Sequence, residues 1–334
     1  MRLSFGHTAG MIAAALISLA PWLAQAAVVS FGSGANTFQM EFVTIGNPGN
    51  AADTTGDPNP AGAVGYEYGI SKFEVSRDMI TKFNASQSVQ ITLQDMTSYG
   101  GNGANKPATG VSWNEAARFV NWLNTSNGGF AAYKFTTDGF NDNIALWTAA
   151  DTLDYDASNP YRSIRATYFL PSYNEWYKAA YYNPNDSTYY NHANGSDTAP
   201  TAVASGTTAN TAVYLTTNAQ GPADVNQAGG LSPYGVMGLG GNVYEWEESS
   251  SDLLNSSVTS MRGMRGGSFG SGVFASDLSS SSRTFDSATW EDFNLGFRVA
   301  SLPSSAPPVP EPSMMVIGTL FGLGGLAAKR RMKK

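Results

Sequence analysis

The sequence predicts an α+β domain made of two or three helices, many short strands and long loops. Three observations carry this. Two Ser-x-x-Glu boxes stand at the head of apolar runs with helical spacing, Ser112–Glu115 and Ser172–Glu175. Short alternating or glycine-punctuated apolar pieces lie elsewhere, among them FQMEFVTI, YGVMGLGGNVYEWEES and NLGFRVAS. Long stretches between them are rich in Asn, Thr, Ser and Gly and have no helical period.

In chain order, Phe38–Ile45 alternates as an edge strand would, and residues 66–75 (YEYGISKFEV) read as a second strand. Ser76 then caps a helix whose Met79, Ile80 and Phe83 share a face. The box at Ser112 and Glu115 opens the clearest helix, with Ala116, Phe119, Val120 and Leu123 on its inner side. Residues 125–165 are polar and irregular and read as an insertion with short strands. The second box opens SYNEWYKAAYY, with Trp176, Ala179 and Ala180 facing inward. Residues 183–233 read as long surface loops. Three glycine-punctuated strand-like pieces follow, and LPSSAPPVPEP is a proline-rich linker.

The two ends read as targeting segments. Residues 1–26 join Arg2, a short apolar run and an Ala-x-Ala site, which predicts a secretory signal peptide cleaved after Ala26. At the other end, Val309-Pro310-Glu311-Pro312-Ser313 precedes fifteen apolar or small residues and then Lys329, Arg330, Arg331, Lys333 and Lys334. The apolar run spans a bilayer only marginally, with its basic cluster inside. This tail resembles the PEP-CTERM sorting signal of Gram-negative bacteria. The resemblance implies an inner-membrane intermediate, processing by an exosortase, and export to the cell surface or extracellular matrix. The expected layout is a signal peptide (1–26), an N-terminal strand and loop region (27–60), a main domain (61–302), a linker with the PEP motif (303–313) and a hydrophobic segment with a basic tail (314–334).

Composition excludes much chemistry. The chain carries 19 basic and 26 acidic residues. Removing the two targeting segments takes away Arg2 and the five tail cations and no acid, leaving 13 basic against 26 acidic. Such a surface disfavours nucleic acid. Cysteine is absent, which removes disulfides, thiolate nucleophiles and cysteine metal sites. Outside the signal peptide the only histidine is His192, in the polar stretch YNHANGSD, where it reads as a solvated loop residue. Histidine triads and histidine zinc sites are thereby excluded.

Several separated motifs agree with one family. YGISKFEVS, PATGVSWNEAARFVNWLN, YFLPSYNEWYKAA, YGVMGLGGNVYEW, RGGSF and GFRVA occur across residues 66–300 in the order seen in the formylglycine-generating enzyme, or sulfatase-modifying factor, family. The resemblance implies a single domain of C-type-lectin-like fold. Enzymes of this family oxidise a sulfatase cysteine with a copper-binding cysteine pair, whereas other members bind ligands on the same scaffold. The positions of that pair, just after RGGS-aromatic, hold Ser271 and Ser276 here. A serine hydroxyl does not ionise near neutral pH, and soft Cu(I) needs sulfur, so copper and formylglycine chemistry are not expected.

The resemblance also implies calcium, held by the carbonyls of Gly241 and Val243 and the carboxylate of Glu245, with Asn210 and Asp224 near a second loop site. Gly238 stands where the family usually has an Asn or Asp ligand, which weakens the first site. Ser271, Ser276, Trp290 and Arg298 are the candidate ligand-binding residues, while Trp113, Trp122, Trp176 and Trp246 read as core. Arg265 and Arg298 read chiefly as loop anchors, Glu245 as a partner for one of them, and Glu247 and Glu248 as a solvated face. The expected function is an exported, non-catalytic surface or matrix protein that binds a polysaccharide or a surface protein. The alternatives are a family enzyme with altered chemistry and a structural biofilm component without a discrete ligand.

Overall fold

Helices start where a serine oxygen takes up free backbone N–H groups. Ser76 precedes α1 (Arg77–Asn84) and accepts from the Met79 N–H at 3.3 Å. Ser112 precedes α2 (Trp113–Ser126), and Ser172 precedes α3 (Tyr173–Tyr181). In both of these, the third-residue glutamate accepts from the N-cap backbone at 2.7 Å, so the expected capping boxes are closed. Removing such a cap costs roughly 1 kcal/mol.

The structure, a computed structural model, describes residues 27–303 apart from 138, 140, 141 and 271. The signal peptide and nearly all of the linker and sorting tail lie outside the described residues, as does Ser271. No helix among the described residues is long and apolar enough to cross a membrane.

The strands are β1 (Ala27–Phe31), β2 (Phe38–Ile45), β3 (Tyr68–Ser71), β4 (Tyr168–Phe169), β5 (Tyr182–Asn183), β6 (Thr188–Tyr189), β7 (Thr201–Ala202), β8 (Thr211–Ala212), β9 (Tyr244–Ser250), β10 (Arg262–Arg265), β11 (Thr284–Asp286), β12 (Leu295–Gly296) and β13 (Ala300–Ser301). A five-stranded antiparallel sheet runs β1-β2-β3-β13-β4. A four-stranded sheet runs β11-β10-β9-β12, with β12 parallel to β9. Two further pairs, β5-β6 and β7-β8, complete a mixed α+β domain.

β2 is interior rather than an edge, which corrects the sequence reading. Its outer side is covered by β1, whose only buried residue is Phe31, so β1 carries little apolar signal of its own. The side chains of β2 alternate as a pleated strand requires. Phe38, Met40 and Phe42 join the cluster around α2, with Trp113, Phe119, Val120, Leu123, Phe297 and Val299. Val43 and Ile45 point the other way, into the cluster of Trp176, Tyr177 and Tyr181 from α3. Helices therefore cover both faces of this sheet, and burying each aromatic ring contributes roughly 2–3 kcal/mol.

The long irregular segments are packed rather than peripheral. Residues 125–165 hold only one backbone bridge among their described residues, Lys134 with Ala145, yet place Tyr133, Ile144 and Tyr161 in the core. The reading of 183–233 as surface loops also needs correction: Ala212, Val213, Tyr214, Ala223 and Ala228 are buried. His192 is buried as well, with a backbone bridge to Ser279, and burial pushes its imidazole below the ordinary histidine range.

Candidate functional site

The stretch RGGSF leaves the end of β10 and passes through the interior. Arg265 is fully buried, donating to the Glu247 carboxylate at 2.6 Å and to the Ser282 carbonyl at 2.9 Å. Gly267 sits at φ +73°, and a Cβ there would lie 2.6 Å from a Leu278 methyl. Only glycine combines that backbone turn with that approach. Ser268 is buried and accepts from the Asn294 amide at 3.3 Å. Phe269 then packs on Met96, Val213, Ala223 and Val243. Its N–H donates to the Asn242 carbonyl, and its own carbonyl accepts from the Thr216 N–H and hydroxyl. The motif is an internal spine rather than a surface loop.

Beyond it the chain returns to the surface. Phe274 is 60% exposed, and Ser276 is exposed in the short turn of helix Ala275–Leu278. The Ser276 carbonyl accepts from the Ser279 N–H and hydroxyl. Its neighbour Asp277 is occupied by the Phe274 N–H at 2.7 Å. The cavity beside Leu278, lined also by His192, Ala212 and Leu239, is about 10 Å³, room for about one water. Trp290 is 48% exposed at a turn closed by its N–H on the Ser287 carbonyl.

Arg298 is elsewhere. It is fully buried and grips Glu245 through two bonds of 2.6 Å, while also donating to the Ser71 and Met237 carbonyls at 2.8 Å. The Trp176 indole N–H adds a third bond to Glu245 at 2.7 Å. Arg298 is thus an internal clamp holding β9 to the end of β3 and to the loop at Met237, and the candidate set of Ser276, Trp290 and Arg298 is divided between surface and core.

Three carboxylates of β9 are fully buried: Glu245, Glu247 and Glu248. This corrects the solvated face expected for the last two. Glu247 pairs with Arg265 and with Arg283 at 2.8 Å. Glu248 accepts from the Tyr133 hydroxyl at 2.8 Å and the Asn159 amide at 2.6 Å, with Arg162 at 3.4 Å. Burial holds Glu248 above the ordinary carboxylate range, Arg162 pulls it back and Glu175 raises it further. Burial would lower the Arg162 guanidinium, but the facing Glu175 and Glu248 raise it overall.

Sequence reasoning passed over Glu74, a buried carboxylate held by the Asn242 amide at 2.9 and 3.0 Å. Burial, and then the Glu245 charge, push it up to about 8. Gly238, at φ +77°, makes room for it: a Cβ there would lie 3.0 Å from the Glu74 carboxyl. The FEVS motif gives no local sign of this, because the partner Asn242 is distant in sequence.

The calcium residues fare unevenly. Of about four lone-pair positions on the Glu245 carboxylate, Arg298 and Trp176 take three, and the guanidinium cancels its charge. Val243 is packed in the core, and Gly241 turns at φ +86° with its N–H on the Gly266 carbonyl. Asn210 is exposed on a turn of its own, where its carbonyl accepts from Thr201. Among the described residues no three His, Cys, Asp or Glu side chains converge as a metal cluster. At Glu245 a divalent cation would have to displace Arg298.

The ions on this side, Arg265 with Glu247 and Arg298 with Glu245, are pairs that hold loops. The comparisons agree with the architecture. The solved structure of Treponema denticola variable protein 1 is similar with a TM-score of 0.55 at 18% identity, over 83% of this chain and 99% of that one. The crystal structure of CarF gives 0.54 at 18% identity, over 79% and 98%. At such identities they show the fold alone, the C-type-lectin-like α+β arrangement. No curated protein matches this chain. The model of the sulfatase-modifying factor enzyme 1-like domain matches residues 31–302, a span that includes β2. With that span covering most of the sequence, the chain belongs to the sulfatase-modifying factor enzyme 1-like domain family.

Proposed function

We propose that this chain is an exported, non-catalytic member of its family, displayed at the cell surface or in the matrix, where it binds a polysaccharide or a surface protein. The observation that carries the reading is the absence of cysteine from the whole sequence. The redox pair of the family's oxidising enzymes has serine at both positions, Ser271 and Ser276, and a hydroxyl neither ligates Cu(I) well nor cycles through a disulfide. The buried arginine–glutamate pairs support the same reading, since Arg265 and Arg298 are engaged in holding the fold. The PEP-type tail with its basic end supports export through an exosortase-type processing enzyme.

Purified chain incubated with a sulfatase-derived cysteine peptide and copper is expected to form no aldehyde above a no-protein control. Aldehyde formation would return the chain to the oxidising enzymes. Removing residues 310–334 is expected to abolish processing and surface display; unchanged display would break the sorting part of the reading.

A further inference from the structure

A cleft of about 430 Å³ opens on the outer side of α2, away from RGGSF. Its walls come from the loop after α1 (Gln87, Ser88), from α2 (Arg118, Trp122) and from the segment carrying Phe135 and Trp147. The volume lies within the range of small-ligand sites, roughly 300–1,000 Å³.

Two features identify its occupant. The first is charge. Both cations of the lining are already matched: Arg118 has Asp142 at 3.7 Å and the Thr137 carbonyl at 3.2 Å, and Lys134 has Asp151 at 2.9 Å. A phosphate or uronate would have to compete with these carboxylates, while an uncharged ligand would leave the pairs in place. The second is the arrangement of apolar and polar groups. Trp122, Phe135 and Trp147 are half-buried aromatic rings, and the polar Gln87 and Ser88 line the same cleft. The rings are held in place: the Arg118 guanidinium lies 4.0 Å from the Phe135 centroid, Lys134 lies 5.5 Å from that of Trp147, and the Trp147 indole donates to the Ala132 carbonyl at 3.0 Å. Trp122 is fixed by Phe83 at 5.4 Å and Phe38 at 5.9 Å. Fixed aromatic faces beside hydrogen-bonding groups complement a sugar, which has C–H faces and a rim of hydroxyls.

We infer that this cleft binds an uncharged oligosaccharide, stacked on Trp147 and Phe135 and hydrogen-bonded by Gln87. The inference deepens the binding reading above and rests on it.

The test is a titration of the full chain with panels of neutral and acidic oligosaccharides, followed by tryptophan fluorescence. Four variants are compared: Trp147→Ala, Phe135→Ala, Gln87→Ala and, as a control on the RGGSF side, Trp290→Ala. Neutral sugars are expected to bind. Trp147→Ala and Phe135→Ala should weaken binding about tenfold. Gln87→Ala, in the loop after α1 where the amide donates to the Ser86 hydroxyl at 2.9 Å, should weaken it a few-fold with an unchanged melting curve, and Trp290→Ala should have no effect. Binding of neutral sugars lost only in Trp290→Ala would overturn the cleft and keep the binding reading. Binding of acidic sugars alone would overturn the ligand class. If no sugar of either charge bound, both this site and the polysaccharide form of the reading would fall.

Discussion

On β9, Glu245, Glu247 and Glu248 have no solvent exposure, and each has an arginine within 3.4 Å. Around the α2 cleft, Arg118–Asp142 and Lys134–Asp151 are pairs whose side chains keep 17–37% of their exposure. Both regions match positive with negative charge, but the physics differs. A buried pair can only stay charged while both members are present, because the low-dielectric interior penalises a lone ion heavily. A surface pair has water as a substitute partner, so its loss is mild. One region therefore fixes the fold, and the other is free to be shaped around a ligand.

The largest test of this contrast removes one ion from each region. Arg298→Met leaves Glu245 buried with only the Trp176 indole and should cost about 3–5 kcal/mol. Lys134→Met should cost about 0–1 kcal/mol. Denaturant unfolding of both variants measures the difference, and equal losses would break the comparison.

A smaller effect sharpens the same point through pH. Glu74 is held at about 8 by burial and by Glu245, and Glu115 at about 7 by burial. The folded state then binds more protons than the unfolded one between about pH 4.5 and 8, so stability falls as pH rises through that window. Below it these groups are neutral in both states and the penalty vanishes. Melting temperatures should thus decline from pH 6 to pH 8.5, and Glu74→Gln should flatten the slope whatever it does to the plateau. A slope unchanged by the substitution would show that Glu74 is not the titrating group.

The smallest expected effect is that of calcium. With Glu245 engaged by Arg298, melts with calcium and with chelator should coincide. A bound ion at a hundred times its dissociation constant would add about 2.7 kcal/mol, a shift that would be plainly visible and would require Glu245 to leave Arg298.

What could be read early follows the range of the forces involved. Ser112 with Glu115 and Ser172 with Glu175 are three residues apart, so both helix starts were legible. The alternation of β2 was legible too, but its interior place was not, because its cover is the apolar-poor β1. Glu247 and Glu248 resembled a solvated face because acidic residues are ordinarily exposed. Their partners Arg265, Arg283 and Arg162 lie far along the chain. His192 misled in a similar way: it bridges Ser196 within its own polar stretch, but it also bridges Ser279, far along the chain, and lines a small cavity beside Leu278.

The sequence by itself determined where α2 and α3 begin, that thiol chemistry is absent, and that the motif order is that of the family. These are properties of composition and of contacts within one helical turn. Only the tertiary structure decided that Arg298 meets Glu245 across 53 positions, that RGGSF runs inside, and that Trp122, Phe135 and Trp147 border one cleft. Those outcomes depend on which elements pack together, and a buried charge or an aromatic wall has no meaning until its partner from another element arrives.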